Sequence, residues 1–320
     1  MKLKEFYTMA VDQGKKSDPR GKDLVEKELQ RVKREFDDLK EDKKKDFDPE
    51  KLTNPYADTR ILNGDENLEV KNILVGVDIE GAEIMLADRL KQKGKKIDLV
   101  VSHHPEGYAL ANLYQVMGVQ SDIFNMFGVP INVAEALMNE RITDVQRRLL
   151  PTNHTRAVDT AKLLDIPLMC IHTPADNSVA NYLQKIFDKE KPYRVSDCLD
   201  ILRKIPEYKE AEKNNIGLKT VCGSEKNRAG RVMIDMTGGT SGSKDIYEKL
   251  SRTDVGTIIC MHISDDNRKE AEKSHINVII AGHMASDTIG INLVLDALDK
   301  KEKLNVIACS GFRRISSSQR

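Results

Sequence analysis

The chain has no tryptophan, and aromatic residues fill only 5% of its 320 positions. With charged residues at 32%, this composition suits a helix-rich soluble protein. Neither charge is in excess: Lys+Arg and Asp+Glu both number 51. Nucleic acid or an anionic membrane as main partner calls for a basic excess or patch, so both are disfavoured. A small anionic substrate held by a metal is not. There is no apolar run of about 18 residues for a membrane span, and no basic, apolar, small-residue leader for export. The five cysteines (Cys170, Cys198, Cys222, Cys260, Cys309) are odd in number and form no CxxC pair. They read as reduced, mostly buried small apolar residues, and the expected compartment is the cytoplasm.

What is present begins with room for more than one core, and two domains plus accessory pieces are expected. Residues 1–66 read as a charged helical arm. Within them Val25, Leu29, Val32, Phe36 and Leu39 recur at steps of four and three, the seam of a short coiled-coil-like helix. From about Asn67 strands alternate with helices, which predicts an α/β fold with largely parallel sheets. The expected division is a metal-binding α/β domain over 67–195 and 276–320, with a helical insertion at about 106–166, and a second α/β unit over 196–275 inserted in it.

In parallel α/β sheets ligands collect at the carboxyl ends of strands. Three predicted strand ends carry ligand-type residues: His103 and His104 after "DLVV", Asp176 after "PLMCIH", and His283 with Asp287 after "NVIIA". Adjacent side chains on a strand face opposite ways, but beyond its end that restriction lapses. Pro105 then holds His104 extended and delays any helix. Two imidazoles presented so suit a pair of metal ions, one each; equally, a loop could satisfy one from backbone and expose the other. Gly282 permits a tight turn, and a helix starting after it would set His283 and Asp287 at i and i+4, on one face. Asp176 could bridge two cations or cap a helix beginning near Ser178. His172 lies inside the predicted strand and reads as structural or as support behind the ligands. Asp78 reads as a helix cap. Three imidazoles and two carboxylates fit Zn, Mn or Fe, not a thiolate site. Two such ions leave positions open for water, and a bridging water would be the nucleophile. "TGGTSGSKD" (Thr237 to Asp245) looks like a phosphate loop but has Ser243 before the lysine and Asp245 after it, so it reads as a glycine-rich strand-to-helix turn.

Taken in order, "LVVSHHP", "IHTPADNSVANYL" and "IIAGHMASDTIGINLVLDAL" resemble the NIF-three-like family, often named GTP cyclohydrolase I type 2. The family's signatures are an HHP turn, an HTxxD segment and a GHxxSE segment. The resemblance implies two α/β domains, the second inserted in the first. It also implies a dinuclear centre held by His103, His104, Asp176, His283 and Asp287, and a ring of subunits, commonly a hexamer. Asp287 departs from the family's Glu and is one methylene shorter.

Two functions are carried forward. One is a metal-dependent hydrolase acting on a small substrate, with a purine nucleotide such as GTP implied by the family name alone. The other is a metal-binding ring or scaffold with regulatory partners. A DHH-type phosphoesterase would want an Asp directly before the histidines, where Ser102 stands.

Overall fold

The computed structural model describes residues 1–319. Its nine strands form two sheets among those residues. The first has the order β1 (Thr59–Asn63), β4 (Leu168–Ile171), β3 (Leu99–Ser102), β2 (Asn72–Gly76), β9 (Asn305–Ala308), with only β1 antiparallel. The second has the order β5 (Lys219–Cys222), β8 (Asn277–Ile280), β7 (Val255–Cys260), β6 (Arg231–Asp235), with only β5 antiparallel. The fold is α/β with two largely parallel sheets, as the alternating pattern predicts.

Strand alternation explains how each sheet is covered. Ile73 and Val75 of β2 face Leu3, Phe6 and Ala10 of α1 (Leu3–Lys16). Leu74 and Val100 face the other way, onto α3 (Gly81–Gln92) and α6 (Arg156–Leu163). Between the sheets lie α7 (Thr173–Glu190) and α9 (His283–Asp299), which pack on each other. Ala175 and Leu295 join the core of the first sheet, while Val179, Leu183 and Ile289 join Val232, Ile259 and Ile279 of the second. These two helices carry Asp176 and Asp287.

Three expectations change. The stretch 1–66 is not one arm. The charged helix α2 (Lys22–Asp37) is present, with Val25 buried and Phe36 packed 4.9 Å from Phe47. But α1 is core and β1 is an edge strand of the first sheet. Gly14 allows this approach, since a Cβ there would lie 2.8 Å from Pro174 of α7.

The segment 106–166 is not wholly an accessory of the first sheet. Its helices α4 (Val119–Met126) and α5 (Ile131–Leu149) lay Phe124, Ala134 and Met138 over Met233, Ile258 and Val278 of the second. That apolar face would otherwise stand in water. Residues 107–111 pack on β1, Leu113 and Val116 join the core of the first sheet, and α6 packs on its other face.

The strand "INVIIAG" does not rejoin the first sheet either. As β8 it pairs with β7, reached by the crossover helix α8 (Asp265–Lys273), the default route between parallel neighbours. Of residues 276–319, only β9 pairs in the first sheet.

Cys170, Cys198, Cys222 and Cys260 are buried and unpaired, and Cys309 is partly buried. No described helix is long and apolar enough to cross a membrane.

Candidate metal centre

The residues that follow β4 in one sheet, and β6, β7 and β8 in the other, line one cleft, and His103 and His104, which follow β3, meet its His172, Asp176, His283 and Asp287. After β3 the chain continues the ladder for two residues: the His103 and His104 amides donate to the Gly76 and Val77 carbonyls at 3.0 and 2.9 Å. The Ser102 hydroxyl donates to the His104 carbonyl at 2.6 Å, closing the turn before Pro105. The two imidazoles therefore sit beyond regular strand geometry and converge, their ring centres 5.2 Å apart.

β4 ends at Ile171, so His172 stands just outside the strand, at the N-cap of α7. This corrects its placement inside the strand. The helix starts at Thr173, five residues before the expected Ser178, because Pro174 fits a first turn whose N–H groups have no helical partner. Asp176 is thus a first-turn residue and not the cap. Gly282 has φ 104°, and α9 begins at His283 directly after it. The i, i+4 pair forms as expected, with His283 Nε2 3.4 Å from Asp287 Oδ2.

Each inner imidazole is fixed from behind. His103 Nδ1 contacts the Ile171 carbonyl at 3.1 Å, His104 Nδ1 the Asp78 carboxylate at 2.6 Å, and His172 Nδ1 the Asp58 carboxylate at 2.8 Å. All three Nε2 atoms are left for the interior. His103 Nε2 lies 3.4 Å from Asp176 Oδ1 and 3.5 Å from Asp287 Oδ1. His104 Nε2 lies 3.6 Å from Asp287 Oδ2, and His172 Nε2 3.7 Å from Asp176 Oδ2. His103 Nε2, Asp176 Oδ1 and both Asp287 oxygens are buried without a hydrogen-bond partner.

Unpaired buried polar atoms cost free energy, so four converging on one point call for a common partner. The spacing fits a cation: two donors each about 2.1 Å from a zinc ion at the tetrahedral angle lie about 3.4 Å apart. Three overlapping groups could hold a metal: His103, Asp176 and Asp287; His104, His283 and Asp287; and His103, His104 and His172. All five residues singled out in the sequence are brought together, and His172 joins them. The set runs from fully buried Asp287 to His283, 37% exposed, so it opens to the cleft on one side.

The electrostatics follow. Burial disfavours charge on His103, but the Asp287 and Asp176 carboxylates outweigh it and hold the imidazole well above its ordinary value. Burial, with His103 and His172 nearby, pushes His104 down to about 4. Burial would raise Asp287, yet His103, His283 and His104 around it hold it below the usual carboxylate range.

Sequence reasoning missed several residues. Asp58, 0% exposed, accepts from His172 and from the Thr173 hydroxyl at 2.6 Å. Asp78 positions His104 and does not cap the following helix, whose N-cap is Glu80. His262, which follows β7, has its ring 5.0 Å from that of His283 and lines the cleft. It was hidden in "VGTIICMHI", where a polar residue ending an apolar run was the available signal. The glycine-rich segment, Thr237 to Ser241, also lines the cleft.

Fold and donor set together define an α/β protein with two largely parallel sheets and a buried His/Asp group that could bind metal. The chain is similar to a NIF3 superfamily protein from Sphaerobacter thermophilus: 27% identity, 80% of this chain and 91% of that one, TM-score 0.71. The resemblance carried by the three motifs therefore extends to the fold, which is of NIF3 superfamily type. Reduced HcgD from Methanocaldococcus jannaschii (13% identity, 78% and 87% covered, TM-score 0.48) and a Bacillus cereus protein related to NIF3 (11%, 79% and 91%, 0.42) align more loosely and carry no argument. The sequence matches no family model, and no curated protein matches it.

Proposed function

We propose that the chain is a metal-dependent hydrolase with a dinuclear centre of Zn, Mn or Fe. His103 and Asp176 would hold one ion and His104 and His283 the other. Asp287 would bridge them, since one of its oxygens faces His103 and the other faces His104 and His283. What carries the reading is the convergence of His103 Nε2, Asp176 Oδ1 and both Asp287 oxygens, all buried and unpaired, beside imidazoles whose Nδ1 atoms are already fixed. That pattern, an imidazole held by a carboxylate or carbonyl behind it, is how metal-binding histidines are oriented. Asp58 and the fixed tautomer of His172 place a further imidazole beside Asp176.

Bound there, divalent ions would supply Lewis acidity and an activated water. The residues themselves do the rest. Buried Asp287 and His103 exclude bulk water from one side of the centre, while the partly exposed His283 lines the cleft and leaves that side open to a substrate. The substrate class proposed is a small molecule, with a nucleotide such as GTP resting on the family name alone. A cytoplasmic setting and a homohexameric ring are parts of the same proposal.

The test compares metal-loaded and stripped protein on a panel of phosphoesters and nucleotides, beside His104→Ala. The hydrolase reading expects metal-dependent turnover that the variant loses while its assembly in gel filtration persists. Assembly that collapses in the variant, with no turnover in the wild type, is the outcome for a metal-stapled scaffold.

A further inference from the structure

Facing the ligand set, the second sheet supplies its own wall to the cleft. Asp235 ends β6, Thr237, Thr240 and Ser241 belong to the glycine-rich loop, and His262 follows β7. The loop is clamped from outside. Gln120 Nε2 donates to the Gly238 carbonyl at 2.8 Å, Arg141 Nε to the Ser241 carbonyl at 2.9 Å, and the Thr237 hydroxyl to Asn177 Oδ1 at 2.6 Å. Gly238 has φ 97°, and a Cβ there would lie 2.5 Å from Gln120. So the wall is rigid, and helices α4 and α5 have a second task in holding it.

Asp235 is the one carboxylate lining the cleft that belongs to none of the donor groups. Among the described residues it meets no hydrogen-bond donor and no cation, and loss of hydration alone pushes its carboxyl up to about 6. No lysine or arginine lines this cleft. The Asp235 oxygens are not among the atoms sealed from solvent, so they stand open on the cleft side, where a donor group of a bound molecule can reach them.

We propose that Asp235 is the substrate-reading residue of the cleft, accepting hydrogen bonds from an N–H-bearing group (an amine, amide or amidine) of a small polar molecule whose other end reaches the ligand set. The two carboxylate oxygens, with the Thr240 and Ser241 hydroxyls on the same wall, suit a pair of neighbouring N–H donors. An anionic group is disfavoured beside Asp235, because the carboxylate repels it and no lysine or arginine lines this cleft. Calling the bound molecule a substrate rests on the hydrolase reading.

The test titrates zinc-loaded protein calorimetrically with benzamidine, which presents two parallel N–H groups, and with benzoate, its anion of matching shape. Wild type, Asp235→Asn and Asp235→Ser are compared, with metal content measured in each. Benzamidine is expected to bind wild type and to weaken at least about tenfold in both variants, the scale of a lost charge-assisted hydrogen bond. Metal content should stay unchanged, and benzoate should bind the variants no more weakly than wild type. Equal benzamidine affinity in all three proteins, no benzamidine binding to wild type, an equal fall for benzoate, or metal lost with Asp235 would each overturn the proposal. The hydrolase reading fails separately, by absent metal-dependent turnover in the wild type whatever Asp235 does to benzamidine.

Discussion

Gly290 of α9 lies so close to the Ala175 carbonyl of α7 that a Cβ added to it would stand 2.4 Å from that oxygen. Ala175 precedes Asp176, and Gly290 follows Asp287 by three residues. This backbone contact therefore sets how near the two carboxylates come. Gly290→Ala must push the helices apart, at a cost of about 1–3 kcal/mol. Thermal denaturation with and without added zinc checks it: the variant should melt earlier and gain less from the metal. A variant as stable and as metal-responsive as wild type would show that the helix contact does not set the site.

Asp58 should matter to metal affinity although its carboxylate lies behind His172. Asp58→Asn keeps the shape but no longer fixes which His172 nitrogen faces inward. Affinity should fall about 10–100-fold, as it does when such supporting partners are removed elsewhere. Competition against a chromogenic chelator measures this, and an unchanged affinity would remove His172 from the set.

Asp235 gives a pH dependence with a definite sign. Its folded carboxyl titrates at about 6, above the ordinary 3.8. As pH climbs between those values the unfolded chain sheds the proton first, so the raised carboxyl costs stability progressively and levels off above about 6. Asp235→Asn removes that slope. In metal-free protein it should gain on the order of 1–3 kcal/mol over wild type at pH 7 and little at pH 4. Denaturant midpoints at the two pH values decide it, and a variant less stable at pH 7 contradicts the sign. A residue that is stabilising to lose is one the fold keeps for function.

That His103, His104, Asp176, His283 and Asp287 come together was legible because each sits in a short contiguous motif at a strand end, where parallel sheets gather ligands. Asp58 was not, because it meets His172 across 114 residues of sequence and no local pattern links an acid before an edge strand to a histidine that far away. His172 was placed inside the strand by a boundary one residue too long. The α/β class followed from alternation, but the cover of the second sheet by α4 and α5 is a tertiary choice. Helical periodicity shows that a helix has an apolar face, not which sheet that face will meet.

Metal content by plasma mass spectrometry, on untagged wild type beside His103→Ala and His283→Ala, tests the dinuclear centre most directly. About two equivalents of Zn, Mn or Fe per chain, lost in both variants, is the expected result. Wild-type protein that is metal-free and refuses added metal would contradict it, leaving the converging imidazoles and carboxylates without the partner their geometry requires.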